Sequence, residues 1–365
     1  MSFPGPYLVE IRAQGQVALP TGFVSPLILA PSSSARTPAE WNDVIESWDR
    51  EEVRRALWSH GGILLRGLPI ETAQHFSELL HAFKWTPHVE VGNPVKRTVH
   101  APNVANANEG PPELYIPAHN EFGISSIFPS NICFWARIAP EKGQGGETPI
   151  SSSQWVLQRL KEEAPEFVQT LADKGVTYTI YHPPTQLSGD ANGNGVLAAW
   201  GSKVVPGDDA ATTKAKVEEE IQRISPETTW RWESDGGLFT FQRQPAFRIH
   251  PLSGEPILFG NITSYFGGAK NRGTLEPPYL DATGFYKPPP LYGDDSAIPL
   301  EYLELLMTIV EQVRAVVPWE QNDVFVIDNL AFQHSRLPWK KGSRSILASL
   351  WDSGLEKDMV ATTRV

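Results

Sequence analysis

DVFVIDNLAFQH, residues Asp323–His334, is an apolar run of strand length that ends in a histidine. Ten positions after that histidine, RSILASLW, residues Arg344–Trp351, opens a second such run on an arginine. β-Branched and aromatic side chains dominate both, the composition of buried strands. An arginine heading an apolar strand needs a partner, because a buried charge without one is costly. The planar fork of its guanidinium suits a bidentate carboxylate best.

The same criteria predict strands at 63–67, 131–138 (NICFWARI), 176–181, 237–243, 246–250 and 256–260. Helices are expected between them. Thr37-Pro38-Ala39-Glu40 supplies a capping box and a proline at the first helical position, and Trp41, Val44, Ile45 and Trp48 follow at helical spacing. That helix is predicted over 37–58 and stopped by Gly61-Gly62. Others are predicted at 71–83, at 152–174 with a break near Pro165, at 209–224 and at 299–317. Residues 90–130 are turn-rich and weakly periodic, and GDANGNG at 189–195 reads as a loop. No linker or repeat divides the chain, so residues 1–365 read as a single domain with its core at about 60–352. Strands gathered in the centre and C-terminal part, with helices before and between them, predict a mainly β protein with flanking helices (α+β). A β-sandwich or jelly roll fits better than a βαβ alternation.

Composition narrows the function. The 29 Gly and 32 Pro are about 17% of the 365 residues, against about 12% in ordinary usage, which favours many short strands joined by turns. With 31 Lys+Arg and 42 Asp+Glu the net charge is −11, which argues against a nucleic-acid partner. No run approaches the ~18 apolar residues of a membrane helix. The start MSFPGPYLVE has no basic segment leading into an apolar one, so no secretory signal is expected and a cytoplasmic location is. Cys133 is the only cysteine, which excludes an intrachain disulfide and a thiolate metal cluster. The dinucleotide fingerprint and the P-loop are both absent.

A transition-metal site must therefore be built from histidine and carboxylate. Nine histidines in a chain with 42 acidic residues should give about one H-x-E triplet by chance, and there are two, His88-Val89-Glu90 and His119-Asn120-Glu121. Residues i and i+2 of an extended strand share a face, so both side chains of such a triplet can reach one ion. A distant histidine completes a two-His, one-carboxylate face suited to non-haem Fe(II). Context separates the triplets. His119 is followed by Gly145-Gly146-Glu147-Thr148-Pro149, then by His334 and Arg344; His88 has no such followers at comparable spacing.

The order His119-x-Glu121, Thr148, His334, Arg344 resembles the Fe(II)/2-oxoglutarate-dependent dioxygenases of the TauD/TfdA family, and most closely their clavaminate-synthase-like branch, where Glu stands for Asp in the triplet. HGGILLRG (60–67), NEGPP (108–112), IPAHNE (116–121), GGETP (145–149), PLSGEPILFGN (251–261) and 334–350 all read like that family's blocks, in its order. The resemblance implies a double-stranded β-helix, a jelly roll whose mouth holds the iron. It implies His119, Glu121 and His334 as Fe(II) ligands, with Arg344 and Thr148 on the distal carboxylate of 2-oxoglutarate. The implied reaction consumes O₂, releases succinate and CO₂, and oxidises a C–H bond of a small organic substrate by hydroxylation, desaturation or cyclisation. An amino-acid-like or specialised-metabolite substrate is expected. Asn261, Phe332, Arg336 and Trp351 are candidate substrate contacts. Two rival readings are a non-catalytic jelly-roll binding protein, which has no reason to keep all five residues, and a zinc hydrolase, which leaves Arg344 and Thr148 without a role.

Overall fold

The strand Asn131–Ile138 shows how the molecule is layered. Ile132, Phe134 and Ala136 belong to one buried cluster, Cys133 and Trp135 to another, so successive side chains enter two separate cores. A computed structural model describes residues 2–32, 36–90, 97–107, 111–185, 195–224 and 227–365. In it Asn131–Ile138 pairs antiparallel with Val324–Asp328 on one side and Ser345–Asp352 on the other. The sheet continues through Gly62–Leu65, Leu27–Pro31 and Leu8–Ile11 at one edge, and through Val104–Asn106 and Val99–Ala101 at the other. The one parallel pair among these is Leu27–Pro31 with Gly62–Leu65.

Helices Pro38–Glu46, Arg50–His60 and Ala73–His81 cover one face. Trp41, Leu57 and Phe76 pack there with Cys133, Trp135, Leu347 and Trp351. The opposite face meets a short sheet of Ile150–Ser152, Phe332–Arg336 and Ile116–His119, with Phe134, Phe325, Ile346 and Phe332 filling the space between. Two facing, mainly antiparallel sheets are the expected jelly-roll architecture. Behind the short sheet, helices Ser153–Glu163, Pro165–Lys174, Ile262–Arg272 and Leu300–Gln312 share a further core. A four-stranded sheet runs Thr228–Trp232, Leu238–Gln244, Val176–His182, Leu291–Tyr292, with helices Val196–Trp200 and Ala210–Ile224 beside it. Among the described residues no helix is long and apolar enough to cross a membrane.

Three expectations need correction. The helix predicted over 37–58 is two, because the Asp49 side chain accepts the Glu52 N–H and starts a second helix. The helix predicted over 299–317 ends at Gln312, because Ala315 beyond it bridges to Ile150. The weakly periodic 90–130 region holds the strand Ile116–His119. Asn108–Gly110 and most of the 189–195 loop lie outside the described residues.

Candidate metal centre

Strand pairing brings the two histidines together. His119 ends Ile116–His119, and its register partner on Phe332–Arg336 is His334. The imidazole centroids are 4.2 Å apart. Glu121 follows in the turn, where Phe122 takes a φ of +57°. Its Oε2 lies 3.7 Å from His119 Nε2 and 3.6 Å from His334 Nε2, too far for a hydrogen bond. One donor atom from each of the three falls within 4.8 Å of the others, and among the described residues no other group of three His, Cys, Asp or Glu does this.

The turn is held from behind by buried amides. Asn329 Oδ1 accepts the Glu121 N–H at 2.7 Å, while its Nδ2 donates to the carbonyls of Glu121 at 3.1 Å and Pro129 at 2.8 Å. Asn120 Nδ2 donates to the carbonyls of Asn329 and Phe332. Its own N–H goes to Asn261 Oδ1 at 3.1 Å. Gln333 Nε2 donates to the Gly260 carbonyl at 3.0 Å. The Asn120, Asn329 and Gln333 amide nitrogens all donate to carbonyls, which lowers the cost of burying them, while Gln333 Oε1 has no partner among the described residues.

Protonation suits metal ligation. His119 Nδ1 lies 2.9 Å from the Pro117 carbonyl. A carbonyl can only accept, so Nδ1 carries a proton and Nε2 is the ring nitrogen turned towards the other two side chains. Burial, then the neighbouring His119, push the His334 pKa down to about 3, so the imidazole is neutral at physiological pH. Burial alone would raise the Glu121 pKa. Arg97, with its Nη2 at 2.6 Å from Oε1, and the two histidines outweigh that and hold the carboxyl well below its ordinary range. Two imidazoles that present Nε2 and an ionised carboxylate fit a divalent first-row metal.

The triad opens on a cavity of about 110 Å³ between the two sheets. Ile132 and Phe134 are among its apolar lining residues, and Arg97, Thr148, Arg336 and Arg344 line it with the triad. Arg344 Nε donates to the Gly146 carbonyl at 2.8 Å, and its guanidinium makes no ion pair with a carboxylate of the described residues. Burial, then the charge of Arg336, push its pKa down to about 9. It is a charged, largely desolvated cation that invites an anionic ligand. Thr148 is buried at the same cavity.

The remaining sequence candidates are placed as follows. Arg336 lines the cavity and donates through Nη2 to the carbonyls of Pro111 at 2.8 Å and Leu114 at 2.5 Å. Asn261 lies behind the turn, bracing Asn120, and is not among the cavity's lining residues. Phe332 faces a separate cavity of about 380 Å³ with Trp58 and Trp155. Trp351 is fully buried in the core under the helices, on the other face of its sheet. His88 is not part of the cluster; its Nδ1 meets Asp352 Oδ1 at 2.8 Å. Arg97 and Asn329 carry no motif that singles them out, although Asn329 is one of two polar residues inside the run from Val324 to Phe332.

A jelly roll with two histidines and a carboxylate at one end of a cationic cavity defines the architecture of non-haem iron oxygenases. The model of the Taurine catabolism dioxygenase TauD, TfdA family matches residues 29–351, and the chain belongs to that family. It is accordingly an Fe(II)- and 2-oxoglutarate-dependent dioxygenase. The Clavaminate synthase-like protein of Arabidopsis thaliana is 30% identical over 80% of this chain and 82% of its own. The Dapdiamide synthesis protein DdaC of Enterobacter agglomerans is 26% identical over 90% and 94%. Among solved structures, PvcB from Pseudomonas aeruginosa aligns with a TM-score of 0.48 at 17% identity, covering 97% of this chain and 93% of that one.

Proposed function

We propose that His119, Glu121 and His334 hold Fe(II), and that Arg344 and Thr148 bind the distal carboxylate of 2-oxoglutarate, in an enzyme that oxidises a C–H bond of a small, amino-acid-like specialised metabolite. The observation that carries this reading is the convergence of three ligand atoms within 4.8 Å at a cavity also lined by Arg344, which makes no ion pair with a carboxylate of the described residues. Iron, when bound, supplies the site at which O₂ is reduced as 2-oxoglutarate is decarboxylated and the substrate oxidised. The protein's part is electrostatic and positional. The imidazoles present Nε2, Arg344 receives one carboxylate, Thr148 adds a hydroxyl donor, and the apolar Ile132 and Phe134 keep water from the sheet side. The names of the two relatives, one a clavaminate synthase-like protein and one a dapdiamide synthesis protein, support a role in making a specialised metabolite. Arg336 at the cavity favours a substrate that carries a carboxylate. The whole chain acts as one domain in a reducing, cytoplasmic setting.

Anaerobic addition of Fe(II) and 2-oxoglutarate should give a visible charge-transfer band, and a substrate panel should give substrate-dependent succinate. Product mass separates hydroxylation (~+16) from desaturation (~−2). His119→Ala, Glu121→Ala and His334→Ala abolish turnover, because three ligands set the open face of the ion. Arg344→Ala chiefly raises the 2-oxoglutarate requirement. Undiminished succinate from any ligand variant would remove that residue from the centre.

A further inference from the structure

The two carboxylate oxygens of Glu121 have different neighbours. Oε2 faces both imidazoles, 3.7 Å from His119 Nε2 and 3.6 Å from His334 Nε2. Oε1 is engaged by Arg97 Nη2 at 2.6 Å. The Arg97 side chain is only 16% exposed. Burial disfavours its charge, but Glu121 and then Glu90 more than restore it. Glu90 is the acid of the second H-x-E triplet, the one that contributes no donor to the cluster. Its charge acts on Arg97 instead, so that Glu90, Arg97 and Glu121 alternate in sign towards the cavity.

A carboxylate can offer an ion one oxygen or two. A second oxygen on the ion takes up room that a chelating cosubstrate needs. We propose that Arg97 is a positioning residue for Glu121: by engaging Oε1 it leaves Oε2 as the single carboxylate oxygen presented beside the two Nε2 atoms. This rests on the reading of His119, Glu121 and His334 as a metal centre. A short, charge-assisted hydrogen bond suits that task, because it fixes both the direction and the ionised state of the carboxylate. Outer partners of this kind commonly set metal affinity by about ten- to hundredfold.

Co(II) titrated into the metal-free full-length protein gives a readout independent of turnover, since its visible absorption reports the number and geometry of its ligands. Arg97→Gln is expected to bind Co(II) about tenfold or more weakly than wild type, with an altered visible band. Arg97→Lys keeps the charge and a donor but not the fork, and shifts both in the same direction by less. It is the deciding variant should Arg97→Gln melt far below wild type. Tighter binding would show that Arg97 merely repels the ion, binding equal to wild type that it has no part in holding it, and an unchanged band that it does not orient the carboxylate; any of these overturns the proposal. His334→Ala separates this from failure of the centre itself. If that variant binds Co(II) like wild type, or wild type gives no band, the metal reading falls, and not Arg97's part in it alone.

Discussion

Asn329 shows how one buried side chain can fix a functional geometry. It is fully buried, and it satisfies the Glu121 N–H, the Glu121 carbonyl and the Pro129 carbonyl at 2.7, 3.1 and 2.8 Å. It therefore sets the backbone from which the Glu121 carboxylate projects. Asn329→Ala leaves three buried backbone groups without that partner, at a cost of about 3 kcal/mol. Thermal unfolding should show it as a lower melting temperature, together with weaker divalent-metal binding. A melting temperature within a degree of wild type would mean that water or a neighbouring amide substitutes fully. Much at this scale was legible beforehand. His119, Glu121, His334, Thr148 and Arg344 all stand at one cavity, because their spacing and local text carry the information. Arg97 was not legible: it meets Glu121 across 24 positions of turn-rich sequence, and only the folded chain makes them neighbours.

Parity along strands explains which candidates reach the cavity. Ile346, Ala348 and Leu350 face the inter-sheet space, while Leu347 and Trp351 face the helices. Trp351 is an odd number of positions from Ile346, so the alternation alone sends it to the far face. Phe332 shares the parity of His334 but lies about 7 Å further along the strand, enough to bring it to the second cavity. Among the strands the sequence pattern does not predict, Ile116–His119 contains Pro117 and is an edge of its sheet, where a proline is tolerated and the local pattern is weak. Loops follow geometry of their own. Gly145 has a φ of +93°, and a Cβ there would lie 2.0 Å from the Pro338 carbonyl oxygen. The next residue, Gly146, gives its carbonyl to Arg344 Nε. Gly145→Ala should therefore destabilise by about 2–4 kcal/mol and, by moving Gly146, raise the 2-oxoglutarate requirement. Thermal melts and cosubstrate titration check the two effects separately. A variant that melts like wild type would show that the turn can move away from Pro338 without loss.

At the scale of the whole molecule, the side chains of the centre are held in place by contacts within the chain itself. His119 and His334 are paired by sheet register, Glu121 by the Asn329 and Asn120 amides, and Arg344 by the Gly146 carbonyl. The core under the helices, with Trp41, Phe76, Trp135 and Trp351, lies on the face of the large sheet away from the centre. Chelation should therefore remove activity while leaving the far-UV dichroism unchanged. Re-addition of a divalent metal stabilises by binding the folded state alone, by about 2.7 kcal/mol at one hundred times its dissociation constant. A chain of 365 residues has an unfolding entropy near 0.8 kcal/mol/K, so the midpoint should rise by about 3–4 °C if it unfolds as one unit. The His334→Ala protein should show no such rise at the same concentration. A chelated protein that has lost its secondary structure would mean that the centre is built by its metal rather than by the pairing of the two strands. An equal rise in His334→Ala would place the metal elsewhere.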